Sequence, residues 1–129
     1  MPPRRVVVVD NDPDALELAC TDLRLEGHEI VGFAGDGETA LELCRKLRPD
    51  VLVVDYRMPP GPDGAEVARR MRREMPAVTV VVFTNYDNAD VARAVRRAGA
   101  GLVRKGELDA LRRAVAGGGD ATEVDTDVD

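Results

Sequence analysis

Five short apolar runs punctuate the chain: Val6–Val9, Glu29–Ala34, Val51–Val54, Val78–Phe83 and Gly101–Arg104. Four are nearly continuous and rich in β-branched residues, which predicts strands buried on both faces. Glu29–Ala34 is more mixed and suits a strand nearer a sheet edge. Between the runs, apolar residues recur at helical spacing. Pro13–Glu26 sets Leu16, Ala19, Cys20 and Leu23 on one face, and Gly37–Leu47 repeats this with Ala40, Leu41, Cys44 and Leu47. Ala65–Met75 offers Val67, Ala68, Met71 and Met75; Ala89–Ala98 offers Val91, Ala92 and Val95; Glu107–Ala116 offers Leu108, Leu111 and Val115. Asp12 can cap the first helix with Pro13 in its first turn, and Gly27 and Gly99 can end the first and fourth.

Strands alternating with helices at this spacing predict an α/β fold: a parallel five-stranded sheet with helices on both faces. The doubly wound, flavodoxin-like (βα)5 order 2-1-3-4-5 is the natural choice. Residues 1–116 read as one domain. Gly117-Gly-Gly is expected to stop the last helix, leaving 117–129 as an acidic, disordered tail or linker. No repeat beyond the β/α alternation is visible, nor a second domain.

Composition sharpens this picture. Apolar residues make up 44 % of the 129 but aromatics only 3 %, so the core must be built from Val, Leu and Ala. Five acids (Asp120, Glu123, Asp125, Asp127, Asp129) crowd the tail without a base, and taking them from the net charge of −6 leaves −1 for the rest. That balance argues against direct nucleic-acid contact by this domain. Cys20 and Cys44 sit in predicted helices at no metal-motif spacing and read as small buried apolar residues. The arginines of the last three helices (Arg69, Arg70, Arg72, Arg73; Arg93, Arg96, Arg97; Arg112, Arg113) read as solvated faces, with a contact between two copies through helices four and five as the sharper alternative. No signal peptide or membrane span precedes Val6, so the expected compartment is the cytoplasm, with no membrane partner.

In an open parallel sheet, ligands bind beyond the carboxyl ends of the strands, where strand order reverses. Strand one runs into Asp10-Asn11-Asp12, strand three into Asp55, strand four into Thr84-Asn85 and strand five into Lys105. Strand two runs into Gly35-Asp36-Gly37, away from the switch point. A carboxylate can attack a phosphoryl donor to give an acyl phosphate. Neighbouring acids can hold Mg²⁺, and a lysine and a hydroxyl can bind phosphate oxygens. Singly, Asp10 or Asp12 is as readily a helix cap, Thr84 a turn residue and Lys105 a solvated charge. Their joint placement is what points to phosphoryl transfer.

These motifs, in order, resemble the receiver domain of bacterial two-component response regulators: Val-Val-Val-Val-Asp10, then Val-Leu-Val-Val-Asp55-Tyr-Arg-Met-Pro59 with Asp63-Gly64, then Val-Val-Val-Phe-Thr84, then Ala98-Gly-Ala-Gly-Leu-Val-Arg-Lys105. The resemblance covers roughly residues 4–116. It implies that Asp55 accepts a phosphoryl group from a sensor histidine kinase or phosphotransfer protein, that Lys105 pairs with the phosphorylated aspartate, and that the Thr84 hydroxyl swings toward the phosphate. It further implies Mg²⁺ held by Asp10, Asn11, Asp55 and the backbone carbonyl of Arg57, and a surface of helix 4, strand 5 and helix 5 that changes partners or dimerises. Such a domain is a phosphoacceptor, not an enzyme beyond its own phosphorylation and dephosphorylation.

The chain departs from the family's pattern in places. Asn11 stands where a second acid is usual, so Mg²⁺ is expected to bind weakly, with Asp12 a candidate substitute. Pro60-Gly61 fits a type II turn in a loop one residue longer than common. Leu102 replaces an aromatic, Gly106 replaces a common proline, and Asn85 replaces a small residue. Two other readings follow. One is a degenerate receiver acting as a constitutive binding module. The other is a haloacid-dehalogenase-like phosphatase with Asp10 as nucleophile, which lacks the acidic pair that family places after its lysine. Whether an output domain belongs after Lys105 stays open.

Overall fold

In a computed structural model, described here for residues 2–117, five strands alternate with five helices. They are β1 (Arg5–Val9), α1 (Pro13–Leu25), β2 (Glu29–Ala34), α2 (Gly37–Leu47), β3 (Val51–Val54), α3 (Gly64–Glu74), β4 (Thr79–Thr84), α4 (Ala89–Arg97), β5 (Gly101–Arg104) and α5 (Leu108–Gly117). The strands form one parallel sheet in the order β2-β1-β3-β4-β5. The predicted topology and every predicted element are present, with bounds shifted by a residue at most. α5 runs through Gly117, past the expected stop; the acidic stretch assigned to a tail, 118–129, lies outside the described residues.

The valine runs explain the two-sided core. Successive side chains of a strand point to opposite faces. Val7, Val9, Leu52, Val54, Val80 and Val82 therefore pack against α2, α3 and α4. Val6, Val8, Val51, Val53, Val81 and Phe83 pack against α1 and α5. Cys20 and Cys44 lie in these two layers as free thiols, and burial pushes the Cys44 thiol up to about 12, which makes it inert. β2 lies at an edge, as its mixed pattern suggested, and β5 forms the other edge. The β1–β2 register slips between Val6 and Val7: Ile30 faces Val6, but Gly32 faces Val7. The slip keeps Ala34 on the buried face of a strand whose apolar residues do not alternate.

Asp12, Asp36, Asp63 and Asn88 each accept a hydrogen bond from a backbone N–H in the first turn of the helix that follows. Such caps satisfy donors a helix start otherwise leaves unpaired. Gly27 (φ +95°) and Gly99 (φ +80°) end α1 and α4 in the left-handed conformation, as anticipated. α2 ends instead on Arg48, at φ +50°. The type II turn expected at Pro60-Gly61 is absent. Gly61 is not in the positive-φ region such a turn requires, and the Pro59–Pro60 peptide is cis.

Candidate functional site

The sheet's hydrogen-bond ladder extends one residue past three strands, and this places the acids and the lysine. Asp10 N–H donates to Ala34 O at 3.0 Å, Asp55 N–H to Val9 O at 3.0 Å and Lys105 N–H to Thr84 O at 3.0 Å. Each side chain is thus carried on backbone that is still paired to a neighbouring strand. The three converge at the carboxyl edge of the sheet. Lys105 Nζ lies 2.7 Å from Asp10 Oδ2 and 3.2 Å from Asp55 Oδ2. Asp10 and Asp55 are buried, and the Lys105 side chain retains 17 % of its exposure.

Other donors orient the carboxylates. Asp10 Oδ1 accepts from Asp12 N–H at 2.9 Å, and Asp55 Oδ1 from Tyr56 N–H at 2.7 Å. Burial pushes the Asp10 carboxyl above its usual range, and the Lys105 and Asp12 hydrogen bonds only partly offset this. For Lys105, burial acts to lower the pKa, but hydrogen bonds and charge from Asp10 and Asp55 outweigh it and the net shift is upward. Lys105 is held as a cation between two acids.

The other predicted residues divide. Thr84 is fully buried at the end of β4, and its Oγ1 accepts from Tyr86 N–H at 3.2 Å. No hydrogen bond among the described residues joins that hydroxyl to Asp55 or Lys105. Asn11 is exposed beside Asp10. Asp12 is committed as the α1 cap, its Oδ1 accepting from Asp14 N–H at 3.1 Å, which argues against its standing in for Asn11. Arg57 is exposed two residues past Asp55. Among the described residues no group of three or more His, Cys, Asp or Glu side chains is placed to hold a metal. The two carboxylates that meet at Lys105, Asp10 and Asp55, are all-oxygen donors. That suits Mg²⁺, which takes one or two carboxylates and keeps several waters.

Gly64 shows why Asp63-Gly64 follows the Asp55 loop. A Cβ on Gly64 would stand 2.5 Å from Asp55 O, so the start of α3 can lie against the Asp55 backbone only if this residue has no side chain. Gly64 N–H then donates to Tyr56 O at 2.7 Å. Gly106 has φ +98°, which proline cannot adopt, so the turn after Lys105 takes a path closed to the family's common residue.

A strap beside the site has no local signature in the sequence. The Arg57 guanidinium sits 5.2 Å from the Tyr86 ring centroid, and Arg104 pairs with Asp87 at 2.6 Å. Tyr86 and Asp87 are adjacent, so the β4–α4 loop is tied to the loop after Asp55 on one side and to the residue before Lys105 on the other. The available signals were weak: one of only two tyrosines, and an acid 17 positions before an arginine.

Comparison with known proteins places this arrangement. The response regulator receiver domain model matches residues 6–116. The chain belongs to that family. It is the receiver domain of a two-component response regulator, and nothing supports the phosphatase reading. Its fold is similar to the signal receiver domain of the response regulator NarL from Mycobacterium tuberculosis, with TM-score 0.82 and 34 % identity over 91 % of this chain and 99 % of that one. It is also similar to the receiver domain of RcsB from Salmonella enterica serovar Typhimurium, solved with the phosphomimetic BeF3⁻, with TM-score 0.79 and 25 % identity over 90 % and 91 % of the two chains. By sequence it is 42 % identical to the transcriptional regulatory protein PdtaR of M. tuberculosis over 57 residues, 44 % of this chain. That match spans only 28 % of PdtaR, well under two thirds of that relative's length.

Proposed function

We propose that Asp55 is the phosphoryl acceptor of this receiver domain, with Lys105 as its charge partner and Thr84 as the hydroxyl that senses the product. The observation that carries this is the placement of Lys105 Nζ 3.2 Å from Asp55 Oδ2 at the carboxyl end of β3. An Asp55 oxygen attacks the phosphorus of a phosphohistidine on a sensor kinase or phosphotransfer protein. An O–P bond forms, the N–P bond breaks, and the imidazole nitrogen keeps the electron pair. Lys105, already a cation between the acids, can follow the new charge onto the phosphoryl oxygens.

Asp10, Asp55, the Asn11 amide oxygen and the Arg57 carbonyl are the groups that would hold Mg²⁺, which supplies charge neutralisation on the transferring group. With an amide in place of a second acid, binding is weak. Thr84 couples the phosphate to the β4–α4 loop in this reading, which is supported by its hydroxyl holding Tyr86 N–H, a bond it releases to reach a new acceptor. The α4–β5–α5 surface is then the one that changes partner or dimerises, in the cytoplasm and without direct nucleic-acid contact by this domain. The domain performs no catalysis beyond its own phosphorylation and dephosphorylation. Among the described residues no helix is long and apolar enough to cross a membrane.

Incubation with acetyl phosphate and Mg²⁺ tests the reading. One added phosphoryl group, lost in Asp55→Asn, is the expected result. Steady turnover abolished by Asp10→Asn would restore the phosphatase reading, and no modification at all would leave a constitutive binding module.

A further inference from the structure

Between Thr84 and the α4 cap Asn88, the chain is held by side chains alone. Among the described residues, no N–H or C=O of Asn85, Tyr86 or Asp87 makes a hydrogen bond to another backbone group. All three residues are exposed. Three contacts fix their path. Tyr86 N–H donates to the Thr84 hydroxyl at 3.2 Å. The Arg57 guanidinium lies over the Tyr86 ring, 5.2 Å from its centroid. Asp87 Oδ2 accepts from Arg104 Nε at 2.7 Å and pairs with Arg104 Nη2 at 2.6 Å.

These contacts are coupled. Tyr86 is tied at its backbone to Thr84 and at its ring to Arg57, so both ties are lost if residue 86 moves away. Each tie also runs back to a strand end of the site. Thr84 closes β4, Arg57 stands two residues past Asp55, and Arg104 is the residue before Lys105. A segment with exposed bonds and few buried contacts lies at the low end of local stability. An exposed cation–π contact and a surface ion pair, each weak by itself, are then enough to decide where it rests.

We propose that these contacts form a latch: Arg57 on Tyr86, with Asp87 on Arg104, weights the β4–α4 loop toward the arrangement seen here, and phosphorylation opens it through Thr84. The opening step rests on the reading of Asp55 as the acceptor. A phosphoryl group there adds nearly two negative charges and three acceptor oxygens. The Thr84 hydroxyl turns to donate to it, Tyr86 N–H loses its acceptor, and the ring leaves Arg57. Thr84 is the trigger, and the ring contact sets how strongly the resting loop opposes it. The Arg57 and Tyr86 side chains act as positioning groups and need not touch the reacting atoms. By linkage, whatever weakens the latch raises the affinity for a phosphoryl mimic by the same factor. Loss of one exposed cation–π contact corresponds to roughly two- to fivefold.

Two measurements on the full chain test this. The first needs no phosphoryl group: hydrogen exchange at the residue-86 amide, scaled to the rate each sequence has when unfolded. Arg57→Met and Tyr86→Leu should each speed exchange about two- to fivefold, and the double variant no more than either single one. Tyr86→Phe keeps the ring face and should match the wild type. Asp87→Asn should act in the same direction as Tyr86→Leu, with its difference from the wild type shrinking in high salt. The second is the affinity for BeF3⁻ with Mg²⁺. Tyr86→Leu should bind about two- to fivefold more tightly and Tyr86→Phe should not, with the Asn85, Tyr86 and Asp87 amides of the wild type shifting on binding. Additive effects of Arg57→Met and Tyr86→Leu would overturn the latch, as would a Tyr86→Phe chain that behaves like Tyr86→Leu. So would BeF3⁻ binding that leaves the loop amides unmoved. A wild type that takes up no BeF3⁻ would sink the Asp55 reading and the opening step with it, and the exchange comparison would then decide by itself whether the contact holds the resting loop.

Discussion

Lys105 sits closer to Asp10, at 2.7 Å, than to Asp55, at 3.2 Å. The lysine is thus shared, with its shorter contact to the acid that is not the proposed acceptor. Removing it leaves two buried carboxylates facing each other. Lys105→Met is expected to cost about 1–3 kcal/mol at neutral pH, within the range for stranding buried charged groups. The loss should shrink as pH falls. Without the lysine, burial and the Asp55 charge hold the folded Asp10 pKa still further above its unfolded value of 3.8. The folded state then binds more protons than the unfolded one, so stability rises toward acid and falls as pH increases through that window. Urea unfolding of the variant at several pH values measures this. A flat profile from pH 4 to 7 would contradict it.

Asn11 is exposed beside Asp10 and brings an amide oxygen where a carboxylate would bring a full charge. Asn11→Asp adds that charge beside two existing acids. Mg²⁺ affinity, followed by titration, is expected to rise roughly tenfold, about 1.4 kcal/mol. Asp12→Asn, in contrast, should leave Mg²⁺ affinity nearly unchanged, because Asp12 serves as the α1 cap. No gain in the first variant, or a clear loss in the second, would mean that Asp12 ligates.

The main lines of the fold were legible because they rest on periodicity. Valine runs of four to six residues between helical patterns leave few arrangements, and the strand ends then deliver Asp10, Asp55, Thr84 and Lys105 to one edge. What stayed hidden depends on contacts between distant residues. The register slip at Val6/Val7 follows from packing of β2, not from its alternation. Pro60-Gly61 has the residues of a type II turn, yet the loop is shaped by the helix start that Gly64 brings against Asp55. Whether an acid after a strand caps or works could not be told from its neighbours: Asp12, Asp36 and Asp63 cap, while Asp10 faces Lys105. The strap from Arg57 through Tyr86 and Asp87 to Arg104 joins two loops and the end of β5, which no local pattern connects.

Gly64 provides a steric test of how tightly Asp55 is held. The Cβ of Gly64→Ala would meet Asp55 O at 2.5 Å and Tyr56 Cα at 3.0 Å, both backbone atoms that cannot rotate away. Overpacking of this kind costs about 1–3 kcal/mol. The displaced backbone carries Asp55, so phosphorylation by acetyl phosphate should slow as well. Gly61→Ala is the control. Nothing lies within 4 Å of its added Cβ, and its effect on stability should stay within about 0.5 kcal/mol. Equal losses in both variants would show that loop entropy, not the contact with Asp55, sets the cost.

The single histidine sets a pH limit at the other end of the molecule. His28 is buried, and its Nδ1 accepts from Arg4 N–H at 3.0 Å, so the folded state needs a neutral ring. Burial, with the charge of Arg4, lowers its pKa below 6.5. The sign follows from proton counting. Below pH 6.5 the unfolded chain takes up a proton that the folded chain refuses, so stability is full above 6.5 and declines as pH falls toward the folded pKa. His28→Gln offers a carbonyl acceptor without the titration. It should flatten the stability profile between pH 5 and 7 relative to the wild type, as read by urea midpoints. Identical slopes for the two chains would place the acid sensitivity elsewhere, in the carboxylates that pair across the helices.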